Sequence, residues 1–501
     1  MKHTFILFLF LVLVCNYAFA QGNKIQIINA NSLEIDNRLG QKVKKMIGAV
    51  QLKQDNTLLY CDSAYLFDET NYVEAYHNVR INHNDSVNFY GDILKYDGAT
   101  KIARLERNVS MVDPNTRLTC DALEFNLQQG RAYYSNGGRI ISGDNLLTSK
   151  SGYYFTASKE MFFKNNVRLT GKEFNISCDT LRYQTRTKTA IFQGKTIIVS
   201  STDTVYTKSG TYHTEKQNGL LTQRAMVRSE ENTLIADTIY YDRPKKYTRA
   251  LGNVVIIDTV NKTTIFGGIA ELKGKEKTSY VTKNPIILSL VDKDTMQIAA
   301  DTIYSIQVGL TKKQDQLHAY NHVKIYKSDL QAVADSLVYI KQDSCMSLYK
   351  QPVMWSENNQ ITGDTILFYI NNQKLDSMQI NSNAFVISSE TPKHFNQIKG
   401  RNMKAYFADG KIDYISVFGN GQSIYYAKDD SLYIGVNVID CSEMTFKFSL
   451  GKMQKSSFIT KPEATFYPLD ELKPEQLRLK GFRWDVKRKP KTMKINQIKF
   501  P

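Results

Sequence analysis

A chain of 501 residues would ordinarily make about three domains, and 42% hydrophobic residues with 30 Tyr and 24 Phe against 10 Pro suit a soluble β-protein. The net charge of +16 favours an anionic partner, whether nucleic acid, acidic polysaccharide or phosphorylated lipid, without choosing among them. Catalytic signatures are missing: there is no Gly-x-Ser-x-Gly elbow, no Gly-rich phosphate loop and no Cys with an evident His partner, so an enzyme is not expected, nor any cofactor.

Residues 1–20 read as a secretory leader. Lys2 and His3 open it, Phe5 to Val14 is apolar, and Ala18-Phe19-Ala20 places small residues where a signal peptidase cuts, before Gln21. The apolar run is too short for a stable anchor. Cys15 raises a rival lipoprotein reading, which Val14 disfavours. The mature chain is expected to be exported and soluble.

From Gln21 to about residue 460 the chain repeats itself. A small residue, Asp, often Ser or Thr, then apolar and aromatic positions recur at Cys61-Asp62, Gly91-Asp92, Cys120-Asp121, Cys178-Asp179, Ala236-Asp237, Ala300-Asp301, Ala334-Asp335 and Gly363-Asp364. Asp62 to Asp92 is 30 residues, Asp92 to Asp121 is 29, and Asp121 to Asp179 to Asp237 are steps of 58. About a dozen residues before each Asp motif, Asn or Gly leads into a β-branched strand: Asn78-Val79, Asn108-Val109, Asn166-Val167, Gly252-Asn253-Val254 and His322-Val323. Two strands per repeat is the minimum, and such units must stack to share a core. Asp97-Gly98, Asn136-Gly137, Asn218-Gly219 and Asp409-Gly410 read as hairpin turns and favour antiparallel pairing over a parallel β-helix. Spacing loosens after Gly268, a weak signal of a subdomain seam near 273–292, and the alternation then resumes, so the array is expected to continue across it.

The recurrent Asp is structural, because an active site occurs once. Asp179, Leu181 and Tyr183 fall on one strand parity, so each Asp is expected at a turn or rim, accepting backbone N–H bonds at the strand's start. Cys61, Cys120 and Cys178 occupy the small-residue slot, too far apart for disulfides and expected as buried thiols. Among His77, His83, His213, His318, His322 and His394 only His318 and His322 approach a metal spacing, and nothing nearby completes a site.

Residues 461–501 hold five of the ten prolines and the basic run Lys487-Arg488-Lys489-Pro490-Lys491. They read as a solvated tail docked loosely on the last strands; a contact site for a partner or an anionic surface is the other reading.

Over roughly residues 24–410 these motifs resemble the organic-solvent-tolerance (OstA) family, which includes the periplasmic lipopolysaccharide-transport protein LptA and the N-terminal domain of LptD. Gly252-Asn253-Val254-Val255-Ile256 and Ala236-Asp237-Thr238-Ile239-Tyr240 match most closely. The resemblance implies an all-β fold, an elongated antiparallel β-jellyroll (β-taco) built here from tandem ~29-residue repeats. It also implies a periplasmic lipopolysaccharide-binding carrier or bridge, free or associated with the outer membrane, that takes part in lipopolysaccharide transport and outer-membrane assembly. The array is much longer than a single LptA-type domain and lacks the run of membrane strands of an LptD-type barrel.

The inward, candidate lipid-binding positions are Val79, Ile81, Val109, Met111, Phe125, Val167, Leu169, Tyr183, Val254, Ile256, Tyr339 and Phe368, which equally suit a closed core. Outward Arg80, Arg168, Arg182 and Lys324 alternate with them and could meet phosphates or acidic sugars. The implied partners are lipopolysaccharide or lipid A, and other β-jellyroll proteins at the inner and outer membranes. These would add end to end to the first strands near 25–31 and the last near 446–458. No nucleic acid and no metal are expected. An exported scaffold or adhesin without lipid, and a polysaccharide-active parallel β-helix enzyme, are the alternatives.

Overall fold

A computed structural model describes residues 24–36, 42–291, 294–308, 314–371, 374–389, 391–408, 411–429, 432–449, 452–469, 471, 477–495 and 497–501. The leader and the expected turn Asp409-Gly410 lie outside them. The chain forms two compact units, Met1–Glu215 and Lys216–Pro501. Among the described residues there is no α-helix, only a 3-10 turn at Val486–Arg488, and no helix is long and apolar enough to cross a membrane.

In the first unit, strands Val43–Gln54, Thr57–Phe67, Tyr72–His83, Val87–Asp97, Ile102–Asp113 and Thr116–Asn126 pair antiparallel in chain order. Each is bent near its middle. The bend in Tyr72–His83 is His77-Asn78 at φ 63° and 49°, and in Ile102–Asp113 it is Arg107-Asn108 at 60° and 52°. Tyr76 pairs with Ile93 but Val79 with Gly91, so the bent strand carries one residue more than its partner, the signature of a β-bulge. The expected Asn-Val strand starts are therefore the second halves of longer strands.

The partner strand carries the Asp, and there the facing inverts. Cys61 and Ala64 are both buried, with exposed Asp62 and half-exposed Ser63 between them; Cys178 and Leu181 flank Asp179 and Thr180 in the same way. Simple alternation placed Asp179 with Leu181 and Tyr183, and that expectation is corrected: both apolar residues are buried while Asp179 is outside. The Asp sits at mid-strand on the outside of the bend rather than at the strand's start. There it ties the facing bulge: Asn78 Nδ2 donates to Asp62 Oδ2 at 2.8 Å, Asn108 to Asp92 at 2.7 Å and Asn253 to Asp237 at 2.7 Å, each 16 residues on. Asp179 instead accepts the backbone N–H of Lys195 at 3.1 Å. Glycine is needed where the bulge crowds the carboxylate. At Gly252, φ +77°, a Cβ would stand 2.6 Å from Asp237 Oδ2.

The bends line up across the strands and divide the unit into two leaves. Residues 57–61, 79–83, 87–91 and 109–113 belong to one; residues 63–67, 72–76, 93–97 and 102–106 belong to the other. The leaves face each other, since Phe89 of the first and Phe125 of the second have ring centroids 4.3 Å apart. At the outer end of the second leaf, the four-residue loops 68–71, 98–101 and 127–130 stack one on the next. Gly98 N–H donates to Asn71 C=O at 2.8 Å and Leu127 N–H to Lys101 C=O at 3.0 Å. Asp97-Gly98 is one of these turns, with Asp97 Oδ1 accepting from Ala99 N–H at 2.9 Å. Asn136-Gly137 is not a hairpin turn: it lies at a bend, between Arg131–Tyr134 and Gly138–Ser142, which do not pair with each other but both pair with Thr116–Asn126. Asn218-Gly219 opens the strand Asn218–Thr222.

The second unit repeats the plan with longer late strands, up to Lys411–Asp429 and Leu432–Ser449. The array continues across 273–292, where Thr263–Lys273 pairs with both Thr278–Thr282 and Ile286–Val291, and the division into units falls at Glu215/Lys216. The tail docks through apolar side chains. Leu477 is buried against Ile424, Tyr426 and Val436, and Leu479, Phe482 and Trp484 pack on Phe385, Ile387 and Phe395. It is a docked strap.

Candidate functional site

The inner faces of the two leaves are the place where an apolar cargo could sit, and one lateral row of the second leaf decides how open that place is. Four residues after the Asp, the first unit carries Leu66, Tyr96, Phe125 and Tyr183, and Tyr154 and Tyr212 take the same position in the degenerate copies. Pairing alternates these large side chains with small or slim ones: Tyr96 with Val73 and Ala103, Phe125 with Ala103 and Ala132, Tyr183 with Met161 and Ala190. Large against small lets neighbouring strands interdigitate without voids.

Hydroxyls at the ends of these rings latch the leaves together. Tyr96 donates to Gln54, Tyr154 donates to Asp113 Oδ2 at 2.5 Å, and Tyr183 accepts from Asn145 Nδ2 at 3.0 Å. Tyr134 and Ser149 share a bond of 2.8 Å in the same sense. In each case the tyrosine is on the second leaf and its partner on the first. Burial pushes the phenols of Tyr96, Tyr154 and Tyr183 up from their ordinary range, so they stay neutral hydrogen-bonding groups at any physiological pH. Lys159 Nζ also reaches Asp113, which pairs this buried carboxylate with a cation.

The structure places the expected lining residues on the inner faces. Val79, Ile81, Val109, Met111, Phe125, Val167, Leu169 and Tyr183 are all at most 2% exposed, as are the flanking Phe89 and Phe163. In the first unit, then, they form a closed core. Val254 and Phe368 of the second unit are also buried, whereas Ile256 and Tyr339 are half-buried. Arg80, Arg168, Arg182 and Lys324 are exposed on the outer faces. Arg182 is held by Glu160, and Arg80 lies over the Tyr60 ring at 5.6 Å.

Half-burial at Ile256 and Tyr339 marks a breach. Along the same row the second unit reads Tyr241, Thr248, Leu272, Ser279, Ser305, Leu317, Tyr339, Met346 and Phe368. Ser305 stands four residues after Asp301, the aromatic slot of other repeats, and its neighbour across the ladder is Ser279. From Thr248 through Leu272, Ser279 and Ser305 to Leu317 the row carries no aromatic side chain. Ser305 is exposed and the inward Ile256, Ile265, Leu272, Leu317 and Tyr339 are all half-exposed, whereas the row closes again at Met346 and Phe368. The expected lining named only the flanks of this breach; the signal that could have found it is the missing aromatic at Ser305.

No group of His, Cys, Asp and Glu among the described residues has the geometry to hold a metal. His322 Nδ1 bonds Asp301 Oδ2 at 2.8 Å, whereas His318 bonds Tyr320 and Gln316, and a bulge separates the two. Cys61, Cys120, Cys178, Cys345 and Cys441 are unpaired thiols. Burial, with the adjacent Asp adding to it, pushes Cys61, Cys120 and Cys178 up to about 12. Cys61 and Cys178 are buried as expected, whereas Cys120 is only half-buried. Thiol alkylation at about pH 8 should therefore leave Cys61 and Cys178 unmodified in the folded chain and modify all three in denaturant, read by mass spectrometry; rapid native labelling of Cys61 or Cys178 would contradict their burial.

Comparison with known proteins gives a consistent picture. Residues 22–179 match the family described as OstA-like protein, and residues 290–374 match the LptA/(LptD N-terminal domain) LPS transport protein family. Among solved structures, the chain is similar to LptH, the LptA-homologous periplasmic component of the lipopolysaccharide transport device of Pseudomonas aeruginosa. That similarity has 13% identity, covers 24% of this chain and 84% of that one, and has a TM-score of 0.21, too low to bear on the fold. No curated protein matches the chain. The second family match, 290–374, takes in Ser305, Leu317 and Tyr339 of the breach. The chain is thus similar to the OstA-like family over residues 22–179 and to the LptA/LptD N-terminal family over residues 290–374.

Proposed function

We propose that the protein is an exported lipopolysaccharide-binding carrier or bridge that takes part in lipopolysaccharide transport and outer-membrane assembly, and that it is not an enzyme. The observation that carries this reading is the breach in the latched row: an apolar interior whose row is filled by large packed side chains in the first unit reaches solvent around Ser305, within a segment matching a lipopolysaccharide-transport family. Acyl chains would enter there, between Leu272 and Tyr339, and phosphates of lipid A would remain at the mouth. Partners of the same β-jellyroll kind would add their strands at the two edges. Gln26–Asn29 and Ser32–Asp36 pair only with Val43–Gln54 among the described residues and expose Ile28, Leu33 and Ile35. Lys452–Ile459 and Glu463–Tyr467 pair only with Leu432–Ser449 and expose Met453, Ile459 and Phe466. Exposed apolar edges of this kind are what strand addition uses.

A photoreactive residue at Leu317 or Tyr339 should crosslink lipid A, and one at outward Lys324 should not. Equal labelling at Lys324 would mean adsorption to the surface. The closed core of the first unit supports a second reading, an exported scaffold without lipid cargo, and absence of label at both Leu317 and Tyr339 would favour it.

A further inference from the structure

The strap, residues 477–501, carries nine Lys and Arg against the single acid Asp485, so half of the chain's net charge of +16 is concentrated in 25 residues. What fixes these residues in place is a row of glutamines. Gln297, Gln331, Gln360 and Gln397 lie on one lateral row across the outer face of a leaf of the second unit, linked through Tyr326, Trp355 and Ile387. Their inward neighbours Ile298, Ala332, Ile361 and Ile398 belong to the core, so the amides point away from it.

Two of these amides bind the strap as a β-strand would, through a carbonyl and the N–H two residues on. Gln397 donates to Leu477 C=O at 2.9 Å and accepts from Leu479 N–H at 2.9 Å. Gln360 donates to Arg483 C=O at 2.6 Å and accepts from Asp485 N–H at 2.7 Å. Farther along, Gln297 accepts from Met493 N–H at 2.7 Å, and Arg224 Nε donates to Lys499 C=O at 2.8 Å. A side-chain amide has one acceptor and two donors, so it reads backbone without regard to the side chains borne on it.

With the backbone held, the strap sorts its side chains. Leu477, Leu479, Phe482, Trp484, Met493, Ile495 and Ile498 are buried or half-buried, while Arg478, Lys480, Arg483, Lys487, Arg488, Lys491, Lys494 and Lys499 are exposed; the exceptions are half-buried Lys489 and exposed Val486 and Phe500. Among the described residues, Arg483 and Arg488 pair with an acid, both with Asp485, at 2.8 and 3.0 Å, and the other exposed cations of the strap show no such pair. An apolar sheet face has been covered by a segment that turns it basic.

We propose that the strap is a binding surface for an anionic lipid bilayer, the docked backbone presenting its cations as an open row to the headgroup plane. Clustered Lys and Arg near such a surface each add to attraction, and the effect falls off within a Debye length. Single-stranded nucleic acid is the poorer fit, because its binding sites stack bases on outward aromatic rings. Here Trp484 packs on Phe395 with centroids 5.4 Å apart, and Phe482 lies between Phe395 and the Arg478 guanidinium. The proposal does not depend on whether the interior carries lipid.

The test is flotation of the full chain with vesicles of phosphatidylcholine containing about one-third phosphatidylglycerol, against vesicles of phosphatidylcholine alone. Two charge-matched variants are compared: the strap set, Lys480→Gln, Lys487→Gln, Lys491→Gln, Lys494→Gln and Lys499→Gln, and a set on the first unit, Lys53→Gln, Lys164→Gln, Lys172→Gln, Lys195→Gln and Lys208→Gln. All ten side chains are exposed, so both variants should fold. Wild type should bind the anionic vesicles and lose binding as salt rises; the strap set should lose affinity about 100-fold or more and the first-unit set far less. Equal loss in the two sets would make net charge the cause and overturn the proposal. So would equal binding to neutral vesicles, or binding of a soluble polyanion such as heparin without binding of vesicles.

Discussion

Phe125→Ala should cost the first unit about 3–5 kcal/mol, the range for emptying a fully packed aromatic position. Phe125 is 0% exposed and bridges the leaves, with its ring against Phe89 of the opposite leaf and His83 at 5.6 Å. Its lateral neighbours Ala103 and Ala132 are too small to fill the space. Because a chain of two units need not unfold in one step, the loss is best read from hydrogen exchange of the strands Val87–Asp97 and Thr116–Asn126. Phe162→Ala is the control: that ring lies on the outer face beneath the Arg182 guanidinium, and its removal should cost well under half as much. Similar losses at both positions would show that the leaves of the first unit are not packed face to face, and the distinction between sealed and breached stretches would fail with them.

The sequence made the period and the inner faces legible where local chemistry repeats. Val79, Val109 and Val167 follow Asn in the αL backbone, a residue that tolerates that conformation, and β-branched side chains then begin the half-strand. The small slot at Cys61, Cys120 and Cys178 was legible for the same reason. The inversion at each Asp was not, because it depends on a bulge in the neighbouring strand. Bulge positions are filled by residues as different as His77, Arg107, Gln223 and Lys283, all with φ near +60°, and these carry no compositional mark. Asn136-Gly137 misled in the opposite sense: a pair suited to positive φ marks a bend here as well as it marks a hairpin. The glutamine row was invisible because Gln297, Gln331, Gln360 and Gln397 are separated by 34, 29 and 37 residues and look like ordinary solvent-facing positions until the register aligns them.

Ser305→Tyr should close the breach and lower lipid A crosslinking from a photoreactive residue at Leu317 by about tenfold to 100-fold. In the sealed repeats, rings in this slot span the leaves and bond the far side, as Tyr183 does to Asn145. A tyrosine at 305 would have Ser279 and Leu317 as lateral neighbours, one of them small, so it enters without displacing a packed side chain. Cargo would then have to displace that ring before entering. If holding the row open costs about 1.4–2.8 kcal/mol, the open fraction and hence the apparent affinity fall tenfold to 100-fold. Ser305→Ala keeps the gap and should leave crosslinking unchanged, which separates the effect of the ring from loss of the hydroxyl. Thermal unfolding of the tyrosine variant should be no lower than that of wild type, since the substitution covers half-exposed Leu272, Leu317 and Tyr339 rather than crowding a filled core. Undiminished labelling in a folded Ser305→Tyr protein would mean that acyl chains do not enter between Leu272 and Tyr339, and the reading of that gap as the point of entry would be abandoned.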